Sequence, residues 1–338
     1  MKKLFSRLLA IGIILLIIGG IVFVIGFAIS GFNYNKLSSV KVVEGSFTES
    51  ADAPIDKIEI LFNTTDITVK FDDLASEISV SYQTLADRND KAITTITATV
   101  NSGKLTVKED YARKIHLFPF TPSTQTTVTI PASRVISLVS CVDTADITVI
   151  GTATLQSVVF KTDTGDVNTK DAVIKSLTSF SIETDTGDAR LGKIDTPSLS
   201  IETDTGYTAL TEDVVTDVAN FEVDTGDIAV MKSLTANKIQ LELDTAELKI
   251  KGKIKTSSLF IDLSTGDIES DNGVIDAESI VIDGGTGDVE MTLFGKLSDY
   301  TVTINQGTGD SNIKNQGGGS RTLNITLSTG DVEVDFKE

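Results

Sequence analysis

The sequence predicts an all-β chain, a single β-solenoid (β-helix) of about 20-residue coils preceded by one N-terminal transmembrane helix. Three observations carry that expectation. The phrase Thr162-Asp163-Thr164-Gly165-Asp166-Val167 returns in variant form at a nearly fixed period; apolar and polar residues alternate on both sides of each copy; and Leu8 to Ile29 contains no charge.

Residues 1–7 carry Lys2, Lys3 and Arg7 ahead of the apolar run. A charge-free helix of about 22 residues rises about 33 Å, enough for a hydrocarbon core of about 30 Å. Basic residues on its near side put residues 1–7 in the cytoplasm, make residues 8–30 the anchor, and leave everything after Ser30 outside. The chain is thus expected in the cell membrane as a single-pass protein with an extracellular C-terminal domain. The alternative is a cleaved signal peptide, with Ala28-Ile29-Ser30 as its small-residue site. The run exceeds the usual apolar region of roughly 7 to 15 residues, which favours the uncleaved anchor.

Residues 31–39 read as a tether, and residues 40–135 as irregular β coils that cap the stack. Ile58, Ile60 and Phe62 alternate into Thr64-Thr65-Asp66-Ile67-Thr68-Val69, a degenerate corner and therefore an early coil. Ile78 to Tyr82 and Ile93 to Val107 keep the alternation but lose the phrase. Asp87 to Lys91 is a polar loop, and Pro119 and Pro122 interrupt any regular strand between Tyr111 and Ser123.

Residues 136–338 are the regular repeat. Aligned on the corner glycine, the copies stand at Ala145, Gly165, Gly187, Gly206, Gly226, Ala246, Gly266, Gly287, Gly309 and Gly330. Five residues earlier stand Phe160, Ile182, Ile201, Phe221, Leu241, Ile261, Ile282, Ile304 and Ile325; two residues later stand Ile147, Val167, Ala189, Ile228, Leu248, Ile268, Val289 and Val332. Period two on both sides of a glycine corner means strand, turn, strand with one buried face. One such unit cannot bury its own apolar face, so successive coils must stack. Glycine supplies a positive φ at the corner at little steric cost. Ala145 and Ala246 therefore imply either a strain of order 1 kcal/mol or a corner that does not strictly need the left-handed region. Val332, Val334 and Phe336 are followed by no cap helix, so serial stacking leaves the last strand edges to be protected by Asp331, Glu333, Asp335, Lys337 and Glu338, or by a partner.

Two acidic columns flank the corner. Asp143, Asp163, Asp185, Asp204, Asp224 and Asp244 precede it; Asp146, Asp166, Asp188, Asp227, Glu247, Asp267, Asp288, Asp310 and Asp331 follow it. Like charges at roughly 4.8 Å repel by about 0.9 kcal/mol in bulk water and about 3.5 kcal/mol at an effective dielectric of 20, so something must offset them. One answer is splaying into solvent, salt screening and charge-assisted bonds from corner N–H groups. The other is Ca²⁺ bridging successive coils, with Asp163, Asp166, Asp185, Asp188, Asp204, Asp224 and Asp227 as ligands. Tyr207 stands where other corners carry an acid, with Arg190 one coil earlier, and that pair is either a neutral substitution or a binding spot.

Val128-Thr129-Ile130-Pro131 leading into Val142-Asp143-Thr144-Ala145-Asp146-Ile147, then the serial Asp-Thr-Gly-Asp corners, resembles the bacterial putative-adhesin family, domain of unknown function 4097, over roughly residues 40 to 338. LiaG-like membrane-anchored proteins are among its members. The resemblance implies an extracytoplasmic β-solenoid, in some members linked to cell-envelope stress, and supplies no catalytic residues.

A net charge of −19 argues against nucleic acid and against anionic headgroups, and is compatible with cations, basic polypeptides or simple solubility. Cys141 is the only cysteine, so no intramolecular disulfide forms, and it reads as a small packed residue. His116, in Ile115-His116-Leu117-Phe118, reads as packing rather than metal binding. A polysaccharide-acting β-helix enzyme needs clustered carboxylates with a base or metal, whereas these are spaced as a repeat in which no coil stands out. The expectation is therefore a non-catalytic, membrane-anchored structural or interaction protein, an adhesin or envelope accessory protein, with a surface or envelope partner and no resident cofactor. The alternative is a solenoid that binds divalent cations or cell-wall polysaccharide, and the enzyme is a third reading.

Overall fold

Alternating apolar residues spaced by one coil fall directly beneath one another when the coils stack in parallel, and the computed structural model, which describes residues 2–29, 31, 40–50, 54–111 and 122–338, has this arrangement. His116 and the stretch 112–121 lie outside the described residues, as do 32–39 of the tether. Helix α1 (Lys2–Ile29) precedes β1 (Val40–Ser50), β2 (Lys57–Phe62), β3 (Asp66–Asp72), β4 (Glu77–Asp87), β5 (Thr94–Asn101), β6 (Lys104–Tyr111), β7 (Gln125–Pro131) and β8 (Ser137–Thr144). There follow β9 (Ile147–Thr164), β10 (Val167–Thr186), β11 (Ala189–Leu191), β12 (Lys193–Leu210), β13 (Asp213–Val230), β14 (Ser233–Ile250), β15 (Lys253–Thr265), β16 (Ile268–Glu269), β17 (Val274–Thr286), β18 (Val289–Phe294), β19 (Tyr300–Thr308), β20 (Arg321–Thr329) and β21 (Val332–Lys337).

Ile182, Ile201, Phe221, Leu241, Ile261 and Ile282 are consecutive partners and all buried, so the inward register expected from the sequence holds. A further inward column, Ile174, Ile194, Val214, Leu234, Ile254 and Ile275, runs along another side of each coil. Between these two sides lies a hydroxyl corner, in which Thr196 Oγ1 donates to the Ser198 carbonyl at 3.1 Å, Thr216 to Val218 at 2.9 Å and Thr256 to Ser258 at 3.0 Å. These bonds satisfy backbone acceptors where the chain bends away from its ladder.

The Gly corner is tighter than strand, turn, strand. β12, β13 and β14 run through it, with Gly206, Gly226 and Ala246 paired in register. The bend is made largely at one residue: the eight corner glycines have φ between 133° and 155°, a region nearly closed to other residues. A Cβ on Gly226 would also overlap the Gly206 carbonyl oxygen of the coil beneath. Ala145 and Ala246 are not among the residues of positive φ, and their methyl groups are buried. Of the two options for those corners, the second therefore applies. The corner closes on ordinary backbone when a small side chain turns into the core.

Both ends of the stack depart from serial order. β2 lies between β6 and β8, and β3 between β7 and β9, so the first coil in sequence is the second in space. The free edge of β7 is taken by β4, antiparallel, with Val80 opposite Val128. At the other end β20 lies between β17 and β19, so the corners stack in the order Gly266, Gly287, Gly330, Gly309. This corrects the expectation that the last coil in sequence presents the exposed edges. The outermost strand is β19, and its edge is covered: the Val302 and Gln316 backbones exchange two hydrogen bonds, at 2.8 and 3.0 Å, and the Ile304 N–H donates to Asn315 Oδ1 at 2.6 Å. Near the opposite end the buried Glu109 carboxylate accepts from the N–H groups of Asn63 and Thr64 and from Thr65 Oγ1, each at 2.9 Å, which ties down the degenerate corner.

The solenoid belongs to a compact unit of residues 46–82, 96–110 and 125–338. A second unit comprises residues 1–45, 83–95 and 111–124. Within it, Ile93 N–H donates to the Leu85 carbonyl at 2.7 Å, Leu85 N–H to Thr94 Oγ1 at 2.8 Å, and Lys41 pairs with Asp90. Among the described residues no helix is long and apolar enough to cross a membrane.

Candidate functional site

The residues of the two acidic columns occupy different environments. In the column after the corner, most carboxylates accept the backbone N–H of the next coil. Asp146 Oδ1 takes Asp166 N–H at 2.8 Å, Asp166 takes Asp188 at 2.9 Å, and Asp188 takes Tyr207 at 3.0 Å. The series begins with Asp66, which takes Asp146 N–H at 3.1 Å. It resumes after Tyr207 with Glu247 N–H on Asp227 at 3.3 Å, and follows the spatial order at the far end: Asp288 on Asp267, Asp331 on Asp288 and Asp310 on Asp331, each at 2.7 Å. Charge-assisted bonds of this length offset much of the repulsion between stacked carboxylates.

Two cations complete the column on either side of its break. Arg190 reaches Asp166 at 3.1 Å and Asp188 at 2.5 Å; Lys249 reaches Asp227 at 3.4 Å and Glu247 at 2.5 Å. Burial, and next the Asp227 charge, push the Tyr207 phenol above its ordinary value. Tyr207 and Arg190 are thus members of one hydrogen-bonded column. Of the proposed calcium ligands, Asp166, Asp188 and Asp227 have one carboxylate oxygen on a backbone N–H and the other on a cation.

Asp163, Asp185, Asp204 and Asp224, in the column before the corner, are exposed and make no ion pair among the described residues. Beside them lies an acidic column that the sequence reading did not single out: Glu183, Glu202, Glu222, Glu242, Asp262 and Asp283 are successive Cα partners on six coils. Its signal was present at the same period, four residues before the corner, on the outward positions between two inward ones. Lys161 pairs with Glu183 at one end. Burial, then Glu183 and Glu222, raise the Glu202 carboxyl; burial, then Asp185 and Asp224, raise that of Asp204. Glu202, Glu222 and Glu242 line a shallow groove of about 240 Å³ with Ser200, Asn220 and Gln240. The face is a parallel sheet two carboxylates wide.

Among the described residues no group of three or more His, Cys, Asp or Glu is placed to hold a metal ion. Cys141 is half-buried, and burial raises its thiol.

No curated protein matches the sequence. Solved structures similar to this chain include a putative adhesin from Bacteroides fragilis, 14% identical over 87% of this chain and 97% of that one, with a TM-score of 0.34. Others are a putative adhesin from Parabacteroides distasonis, at 15% identity, 86% and 97% coverage and a TM-score of 0.37, and a putative lipid binding protein from the same organism, at 10%, 89%, 98% and 0.37. The Toastrack DUF4097 model matches residues 55–232, more than half of the chain, and the chain belongs to that family.

Proposed function

We propose that the chain is a membrane-anchored, extracytoplasmic protein that works by contact, presenting its acidic sheet face to a basic polypeptide of the cell envelope. The observation that carries this reading is the unbroken register of Glu183, Glu202, Glu222, Glu242, Asp262 and Asp283, flanked by Asp185, Asp204 and Asp224. Repulsion within this face is relieved when a cationic chain lies along it, and the gain falls with salt. Binding of the full chain to immobilised polylysine tests it: Glu202→Lys with Glu222→Lys should abolish a salt-sensitive interaction, and unchanged binding overturns the reading.

The anchor rests on the charge-free run Leu8–Ile29 and on apolar side chains exposed around α1, among them Leu16, Ile17, Phe23 and Ile25. Residues 8–30 then span, residues 31–39 tether, and the β-rich remainder lies outside. Protease added to intact cells stripped of their wall should digest everything beyond about Ser30. Protection of the C-terminal half refutes that topology, and a mature product in the medium beginning near Gly31 shows a cleaved signal instead.

A second reading, divalent cations on the exposed column, is favoured by the raised carboxyl of Asp204 between Asp185 and Asp224. It requires millimolar Ca²⁺ to raise the melting temperature beyond ionic-strength-matched NaCl, and Asp185→Asn with Asp204→Asn to remove the difference. Equal melting in chelator and in Ca²⁺ rejects it.

A further inference from the structure

The strand pair β20–β21 comes last among the strands in sequence order and yet lies inside the stack. β20 is hydrogen-bonded on both edges, to β17 through Ile280↔Leu323 and Ile282↔Ile325, and to β19 through Val302↔Leu323 and Ile304↔Ile325. Leu323, Ile325 and Leu327 are buried between those strands, while Val332 and Val334 pair with Val289 and Met291. The corner is read as well: Asp331 N–H donates to Asp288, and Asp331 in turn accepts from Asp310 N–H. Arg321 latches the entry, 3.0 Å from Asp276 and 3.2 Å from the Ala277 carbonyl, with its guanidinium against the Phe294 and Tyr300 rings. Two coils therefore frame a gap shaped for one more.

We propose that Arg321–Lys337 is a removable wedge and that the gap it fills is a strand-binding slot, whose exchange partner is the same segment of a second copy of this chain. The slot takes an extended strand with apolar residues at alternate positions leading into a Thr-Gly-Asp corner. It makes the same bonds to that segment whichever copy supplies it. The connection from β19 to the wedge includes Gly317, Gly318 and Gly319; Gly318 has φ 104°, and side chains added at Gly317 or Gly318 would meet open space, while Gly319 packs on the Tyr300 backbone, so the connection can change path at Gly317-Gly318. Copies anchored on one membrane face meet at high effective concentration, which favours exchange between them. The inner strand partner of β19 is β20, so withdrawal of the wedge frees the β17 edge and undocks β19 in the same event.

The test uses the full chain with a protease site introduced at Gly317-Gly318 and cleaved after folding. A mass-labelled synthetic peptide of residues 320–338 should displace the resident segment and be retained one per chain; a peptide with Leu323→Asp and Ile325→Asp should lose binding. In the uncleaved chain, hydrogen exchange should open Val302, Ile304, Leu323 and Ile325 together, ahead of the amides of residues 193–250. Uncleaved chains of two isotopic masses, concentrated where those amides open, should form mixed dimers. Failure of the labelled peptide to enter while residues 193–250 stay protected overturns the slot. A mixture that stays monomeric under the same conditions overturns the exchange between copies.

Discussion

Replacing Gly226 by alanine tests the physical account of the corner, because the structure supplies both terms of the penalty and an internal control. Gly226 has φ 146°, where an L-residue is strained by about 1–3 kcal/mol. The added methyl would overlap the Gly206 carbonyl oxygen, and restoring an ordinary contact parts the two coils by about an ångström or more. Weakening two inter-coil hydrogen bonds adds about 2 kcal/mol, for a total of about 3–5 kcal/mol. The control is Ala246→Gly in the next coil, where the backbone has no positive φ and the methyl is buried. Losing that methyl and gaining unfolded-state freedom costs about 1.5 kcal/mol. Urea unfolding followed by far-UV circular dichroism should place the Gly226→Ala midpoint well below that of Ala246→Gly. Equal midpoints, or the reverse order, would show that the corner glycines are not held by inter-coil approach.

Ile261, buried between Leu241 and Ile282, should not tolerate Ile261→Asp, which leaves an unpaired charge in the core and should cost several kcal/mol by the same assay, whereas the outward Glu183→Lys should be mild. Asp188→Ala strands the Tyr207 N–H, leaves Arg190 with Asp166 alone of its two carboxylates and should cost about 1–3 kcal/mol, and Asp188→Asn, which keeps an acceptor oxygen, should recover part of it. Identical losses would remove the hydrogen bond from the explanation. Glu202→Gln with Asp204→Asn should raise the thermal midpoint at neutral pH. Both carboxyls titrate higher in the folded than in the unfolded chain, so the folded state binds more protons between the two values, and the native protein loses stability as pH rises through the folded values. The advantage of the double variant should therefore shrink as pH falls, and an advantage that grows toward acid would refute the assignment.

The side of each coil next to the Gly corner was legible because its inward residues keep period two on both sides of one fixed glycine. The side carrying Ile174, Ile194 and Val214 was not read, since a register shift between Lys175 and Phe180 interrupts the alternation that links it to that glycine. The inverted order at the C-terminal end is silent in the sequence for a different reason. Gly287, Gly309 and Gly330 each carry a Thr before and an Asp after, so every ordering of those coils satisfies the same columns, and only Gly317-Gly318-Gly319 hints at a long return. Glu109 likewise gave no signal; it meets Asn63 only because β6 lies beside β2. For the acidic residues the sequence supplied positions but not roles. The same residue type caps a backbone N–H in one column and faces solvent in the other, and that difference is set by which side of the glycine each one leaves.

From Ile147 to Thr265 the coils stack in the order in which they are written, while both closures are built from strands laid out of order. Duplicating one repeat within that middle run would lengthen the stack by about 4.8 Å and leave both closures unchanged. The same duplication among residues 274–338 would have to preserve a slot and the strand that fills it. Length and closure are therefore separately heritable. Relatives should differ in the number of middle coils far more readily than in the pattern of their ends, which makes the length of the stack the property that gene duplication can adjust one step at a time.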